Sequence, residues 1–246
     1  MDIKVIYEDN DVLVADKPAG IVVFPEGQTK ENTLIDKLIE KYPELKSVGE
    51  APRYGIVHRL DKDTSGVLLV AKNSESLIFL QKQFATTSKS DLNGENSQTL
   101  EKNVEKRYIA LVEGNINNDF GEIKTLIARG QKDKRKQKVY LLNEIGPGRR
   151  EAITEYKVLT RYKDYTLLEV KIKTGRRHQI RCHFSYLQHP IAGDKLYSFK
   201  NSKIPEGLTR QFLHAQYLKI KMPDGNTKEF QSNLPEELET VLEKIK

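Results

Sequence analysis

The 246-residue sequence contains one cysteine, no tryptophan and no long apolar run. The single cysteine, Cys182, excludes an internal disulfide and any zinc site built from several cysteines. No apolar segment approaches the ~20 residues needed to cross a bilayer, and residues 1–4 lack the basic and apolar regions of a secretory signal. These absences predict a cytoplasmic protein with no membrane partner.

The basic residues exceed the acidic ones only slightly, but they are clustered. Lys and Arg number 41 against 35 Asp and Glu, which gives a net charge of +6. Segment 124–138 carries seven cations and one acid, and segment 171–181 adds five cations without an acid. Clustered cations favour a polyanion such as RNA, whereas a solvated basic face or a localisation signal is the alternative.

The hydrophobic pattern predicts many short strands, mostly joined as hairpins, and four interspersed helices. Hairpins are predicted within 3–15, 153–172 and 213–231, and one of the helices is predicted to begin at Thr174 and Gly175. This arrangement is typical of an α+β protein with a mixed, largely antiparallel sheet flanked by helices and loops.

We expect one domain over 1–246, with lobes at roughly 1–115 and 150–246. A basic arm is predicted at about 124–148, and a flexible polar insert at about 86–104.

Segment 54–72 places a charged loop between two apolar runs of β type, 55–57 and 67–71. In this loop Asp61 lies between Arg59 and Lys62, whose charges favour an ionised carboxylate. The loop also imitates the start of a calcium-binding loop, but its twelfth position is Lys72 where a glutamate is required. The loop alone therefore allows two interpretations, a plain structural turn or a reactive carboxylate.

The string His-Arg-Leu-Asp-Lys-Asp-Thr-Ser-Gly at 58–66 resembles the central motif of the RluA-type pseudouridine synthases, in which the first Asp is the catalytic carboxylate. Further segments resemble other motifs of that family in the same order, namely 16–20, 106–112, 175–181, 193–197 and 213–215. The resemblance spans nearly the whole chain. It implies an α+β fold with a central active-site cleft, and isomerisation of uridine to pseudouridine in RNA.

Three residues are expected from this resemblance to be catalytic: Asp61 as the carboxylate, Tyr108 against the target base, and Arg181 as the partner of Asp61. A carboxylate in a closed cleft needs a cation to stay ionised, and a guanidinium can hold it with two hydrogen bonds. Since uridine must be flipped out of the RNA, Arg59 is expected to fill the vacated space.

The remaining candidate residues are expected to contact substrate or RNA. Ile180 should pack on the target base, and His58 is grouped here although its role is expected to be structural. Phosphate contacts are expected from Arg176 and Arg177, and from five of the cations of the arm, namely Arg129, Lys134, Arg135, Lys136 and Lys138.

No cofactor is expected, because no atom enters or leaves in the family's reaction. No metal site is expected either, since His178, Cys182 and His183 do not converge as three ligands on a helix. Two other classes of function remain as alternatives to the isomerase: a non-catalytic RNA-binding or ribosome-assembly protein, and a carboxylate-dependent nucleoside hydrolase.

The expected partner is RNA, with large-subunit ribosomal RNA preferred and transfer RNA as the alternative. A monomer is expected. Because the sequence begins at its first predicted strand, we expect no preceding S4-type RNA-binding domain.

Overall fold

The computed structural model describes residues 2–25, 32–86 and 104–246. The insert predicted at about 86–104 lies almost entirely outside these ranges. Within them, no helix combines the length and apolar character needed to span a membrane.

The described ranges contain ten strands and four α-helices, so the prediction of an α+β protein with a mixed, largely antiparallel sheet is confirmed. In chain order these are β1 (Lys4–Glu8), β2 (Val12–Lys17), α1 (Leu34–Lys41), β3 (Ser65–Ala71), α2 (Ser74–Thr86), β4 (Glu105–Glu113), β5 (Phe120–Arg129), β6 (Gln137–Tyr140), β7 (Arg150–Arg161), β8 (Tyr165–Ile172), α3 (Gln179–Tyr186), β9 (Leu213–Lys221), β10 (Thr227–Gln231) and α4 (Glu236–Lys244). A short 3₁₀ helix follows α1 at Pro43–Ser47.

The chain divides into two compact units. The first contains Met1–Glu105 and Ala215–Asn233, and the second contains Lys106–His214 and Leu234–Lys246.

In the first unit, β1 and β2 form the predicted antiparallel hairpin, and β2 pairs antiparallel with β3. Strand β3 is buried along its whole length and neighbours β9, which forms a second hairpin with β10. The core is built from apolar side chains of β2, β3, α2, β9 and β10. Helix α1 begins after Thr33, whose side chain forms a capping box with Asp36.

In the second unit, the strand order is β4-β8-β7-β5-β6, and all four pairings are antiparallel. One core cluster lies between α4 and strands β4 and β8, and another joins α3 to β5 and β7. Strands β7 and β8 are the predicted pair, since a short turn allows alternating strands to fold back on each other.

Two local predictions were wrong. Residues 55–57 form a single bridge, Ile56 to Val70, because backbone hydrogen bonds already turn the chain from Glu50 to Ile56. Helix α3 begins at Gln179 and not at Thr174. The carbonyl oxygen of the Gln179 side chain accepts hydrogen bonds from the Thr174 hydroxyl and the backbone N–H of residue 176, which holds residues 174–178 as a loop.

Candidate active site

The loop that presents Asp61 is anchored by a fully buried lysine, Lys17, at the end of β2. Its ammonium group donates hydrogen bonds to the carbonyl oxygens of Pro18, Lys62 and Thr64 at 2.9, 2.9 and 2.8 Å. A buried charge is tolerated only when it is paired or hydrogen-bonded, and these carbonyls supply that compensation. Lys17 therefore holds the part of the loop that directly follows Asp61, whose side chain is half-buried.

The loop ends at Gly66, a position that only glycine can fill. Its φ is +116°, and a Cβ there would lie 2.2 Å from the backbone oxygen of Ala215 in β9. The close approach of β3 to β9 therefore fixes the point at which the Asp61 loop enters the sheet.

The two residues that begin the central motif have different environments. His58 accepts a hydrogen bond at Nε2 from the backbone N–H of Leu69 at 3.1 Å, and its ring stacks on Phe84 at 4.7 Å. Arg59 is exposed, and its guanidinium lies 5.6 Å from the Phe24 ring. The contacts of His58 support a structural role, and an exposed Arg59 suits contact with RNA.

In the second unit, Tyr108 lies on β4 opposite Val170 and is 8% exposed. Lys106, two residues earlier on the same face of the strand, is 7% exposed. Burial, together with the charge of Arg176, lowers the pKa of Lys106 to about 8. The pKa of Arg176 is also lowered, first by burial and then by Arg150. Two partly desolvated cations near each other suit an anion such as a phosphate group.

Arg181 in α3 makes a bidentate ion pair with Asp194. Its Nε and Nη2 atoms donate to Oδ2 and Oδ1 of Asp194 at 2.6 and 2.9 Å. The side chains are 8% and 0% exposed. Sequence reasoning missed this partner and also missed Lys106, although both residues lie in segments that resemble the family.

A buried polar network holds α3 against strands β5 and β7, and its members are Thr125, Thr154, Thr174, Gln179 and His183. The imidazole of His183 bonds through Nδ1 to the Thr154 hydroxyl at 2.8 Å and through Nε2 to the Thr125 hydroxyl at 2.9 Å. Gln179 donates to the same Thr154 hydroxyl at 2.9 Å. Burial lowers the pKa of His183 to about 4, so its ring is neutral near pH 7.

Other predicted residues of the second unit lie near the start of α3. Ile180, in the first helical turn, is 5% exposed. Arg176 is half-buried and donates from Nε to the backbone oxygen of Glu151 at 2.8 Å. Arg177 is exposed and precedes α3, so it lies outside the helix that was predicted to begin at Thr174 and Gly175.

The basic arm contains a hairpin of β5 and β6, in which Arg129 pairs with Gln137. Arg135 donates to both carboxylate oxygens of Asp133 at 3.0 and 2.9 Å, and this contact lowers the pKa of Asp133 to about 2. Arg129 donates from Nε to the backbone oxygen of Lys134 at 2.8 Å. The charge of Arg135 is thus already matched by a carboxylate.

Two lysines of the arm lie near aromatic rings. Lys136 is 5.9 Å from the centre of the Tyr197 ring, and Lys138 is 5.0 Å from that of Tyr140.

Across the described ranges, no group of three or more His, Cys, Asp or Glu side chains could hold a metal ion.

A family profile, proteins of similar sequence and a solved structure all identify the same family. A profile of the family described as RNA pseudouridylate synthase matches residues 11–186, a range that includes Asp61, Tyr108 and Arg181. An uncharacterized RNA pseudouridine synthase of Aquifex aeolicus is 42% identical over 208 residues, which are 84% of this chain and 59% of that protein. The ribosomal large subunit pseudouridine synthase D of Borreliella burgdorferi is 38% identical over 235 residues, which cover 95% of this chain and 65% of that protein.

Two further matches extend this result. The uncharacterized RNA pseudouridine synthase YlyB of Bacillus subtilis is 37% identical over 250 residues, covering 100% of this chain and 74% of that protein. The structure of human RNA pseudouridylate synthase domain containing 1 superposes with a TM-score of 0.72 at 25% identity, covering 95% of this chain and 84% of that chain. The chain thus spans 59% to 74% of the length of these three bacterial relatives, and it belongs to the RNA pseudouridine synthase family.

Proposed function

We propose that this chain isomerises uridine to pseudouridine in RNA, with Asp61 as the catalytic carboxylate. The observation that carries the proposal is the family match, because the matched range 11–186 includes Asp61, Tyr108 and Arg181. The anchored loop around Asp61 supports the assignment, since a catalytic side chain must be held in place by its surroundings.

In the proposed reaction, the bond between N1 of uracil and C1′ of ribose breaks, and a bond between C5 and C1′ forms. The proton on C5 is lost and N1 gains one, so the product is an isomer of the substrate. Asp61 serves either as a nucleophile or in removing a proton from the sugar. Tyr108 contacts the base face, and a nearly buried tyrosine ring suits stacking of this kind.

We further propose large-subunit ribosomal RNA as the substrate. The relatives from Borreliella burgdorferi, Xylella fastidiosa and Xanthomonas campestris are named ribosomal large subunit pseudouridine synthase D. The arm offers the lysines Lys134, Lys136 and Lys138 on one hairpin, which suits contact with the phosphates of a folded RNA. Transfer RNA is the alternative outcome of the experiment.

The test is to map pseudouridines in total RNA from cells that lack the gene and carry either the wild type, Asp61→Asn or Asp63→Asn. The wild type and Asp63→Asn should restore a pseudouridine in large-subunit ribosomal RNA, whereas Asp61→Asn should not. Asp63 is the matched control, because it is the same residue type in the same loop. Restoration by Asp61→Asn would overturn the catalytic assignment, and a restored site in transfer RNA alone would overturn the substrate.

A further inference from the structure

The carboxylate of Asp194 is fixed by contacts other than Arg181. Its Oδ1 atom accepts hydrogen bonds from the backbone N–H groups of Leu196 and Tyr197 at 2.9 and 3.0 Å. The preceding residue, Gly193, has a φ of +73°, and a Cβ there would lie 2.3 Å from the backbone oxygen of Arg210. Position 193 therefore requires glycine. The carboxylate of Asp194 is held in place by the backbone N–H groups that follow it.

This carboxylate determines which edge of the guanidinium is turned away from it. Nε and one hydrogen of Nη2 in Arg181 are directed at Asp194. A guanidinium carries five N–H donors in a rigid plane, so the two donors used here fix the directions of the other three. Those three are the two on Nη1 and the second on Nη2.

A second group fixes the other side of Arg181. The Tyr197 ring lies 5.2 Å from the guanidinium carbon. Its hydroxyl accepts a hydrogen bond from the backbone N–H of Gln137 at 2.6 Å and contacts Nδ1 of His178 at 3.0 Å. Gln137 is the first residue of β6, so the aromatic ring beside this arginine is hydrogen-bonded to the basic arm.

We infer that Asp194 is a positioning residue for the proposed isomerisation, which acts by aiming the Nη1 edge of Arg181 and not by touching the substrate. This inference rests on the proposed function. A purely structural role would not account for this ion pair, because a buried ion pair adds little net stability compared with apolar residues of similar volume. A carboxylate fixed at this cost is explained if the direction of the guanidinium matters for the reaction.

The experiment measures single-turnover rate, RNA affinity and urea stability for Asp194→Asn. The rate should fall on the order of 100-fold, the loss that a misplacement of about 1 Å can cause in an active site. The dissociation constant for RNA should stay within about threefold, because the Asp194 side chain is fully buried and does not reach the protein surface. An unchanged rate, or a loss confined to stability or affinity, would overturn the inference.

Glu237→Gln is the matched control. Glu237 also pairs with a buried arginine of the same unit: its Oε1 atom accepts a hydrogen bond from Nε of Arg210 at 2.8 Å and lies 2.7 Å from Nη2. Its loss should leave the rate unchanged. If both variants slow the reaction equally, the effect comes from general loosening of the unit, and the inference fails.

Two further variants keep the test decisive if Asp194→Asn folds poorly. Asp194→Glu keeps the charge but displaces the carboxylate, so it should be stable and still slow; a wild-type rate would overturn the inference. In an Arg181→Lys background, Asp194→Asn should change the rate by no more than about threefold, because residues that act through one another are non-additive. An inactive wild-type protein would instead refute the proposed function.

Discussion

Acidification should weaken the fold through His183, the centre of the buried polar network under α3. The unfolded chain takes up a proton on this histidine near pH 6.5, whereas burial lowers the pKa in the folded chain to about 4. Between these values the unfolded state binds more protons, so the free energy of unfolding falls as the pH falls. The contribution of His183 is complete above pH 6.5 and is lost as the pH approaches 4.

The size of the loss follows from the two pKa values. Moving from about pH 7.5 to about pH 5 should cost about 2 kcal/mol from this group, and the full loss below pH 4 should be about 3 kcal/mol. The carboxylates with lowered pKa values, such as Asp133 and Asp224, titrate below this window. Burial raises the pKa of Glu113, so this carboxyl acts in the opposite sense as the pH falls, and the His183 contribution is isolated by comparing variants.

The assay is urea denaturation at both pH values and constant ionic strength, for the wild type and His183→Gln. The variant can be less stable at both values, because it loses hydroxyl contacts, but about 2 kcal/mol of its pH-dependent difference should disappear. His189→Gln is the control: His189 donates from Nδ1 to the backbone oxygen of Glu113, outside the network, so the difference should remain. A His183→Gln protein with the wild-type difference would refute the reasoning.

Three other outcomes are expected. Lys17→Met should cost about 2 to 3 kcal/mol in urea denaturation, because three carbonyl oxygens lose their buried donor; an unchanged midpoint would contradict this anchor. Lys134→Ala and Lys136→Ala should each lower the salt slope of RNA binding by about 0.7 to 0.9, whereas Arg135→Ala, whose cation is already paired, should lower it less. Equal slopes for all three would contradict that order. Tyr197→Phe should speed hydrogen exchange in β6 about fivefold, the effect of losing roughly 1 kcal/mol of hydrogen bonding; unchanged exchange would show that the hydroxyl does not anchor the arm.

Local sequence signals predicted the hairpins well. Strands β9 and β10 alternate apolar and polar residues on either side of Asp224 and Gly225, and Gly225 adopts the positive φ that such a turn needs. The start of α1 was also predictable, because Thr33 and Asp36 form a capping box within four residues of sequence. In both cases the interactions that decide the structure lie close together in the chain.

The start of α3 and the partner of Arg181 could not be read in this way. Gln179 would extend the helix backwards by propensity alone, but its amide contacts Ile153 and Thr154 on β7, 25 to 26 residues away. Asp194 is 13 residues from Arg181 and reaches it only because Gly193 turns the chain back. Tertiary contacts of this kind leave no periodic signal in the sequence.

The ion pair with Asp194 changes what Arg181 contributes to the candidate site. A guanidinium already matched by a carboxylate adds little net positive charge, so its contribution is the direction of its remaining N–H groups. Lys106 and Arg176 also bring positive charge into the second unit, and their lowered pKa values reflect burial and neighbouring cations. An RNA phosphate near these two groups would relieve that repulsion and would favour the protonated form of Lys106. Under the proposed function, we therefore infer that attraction of the polyanion and orientation of the reacting group rest on different side chains.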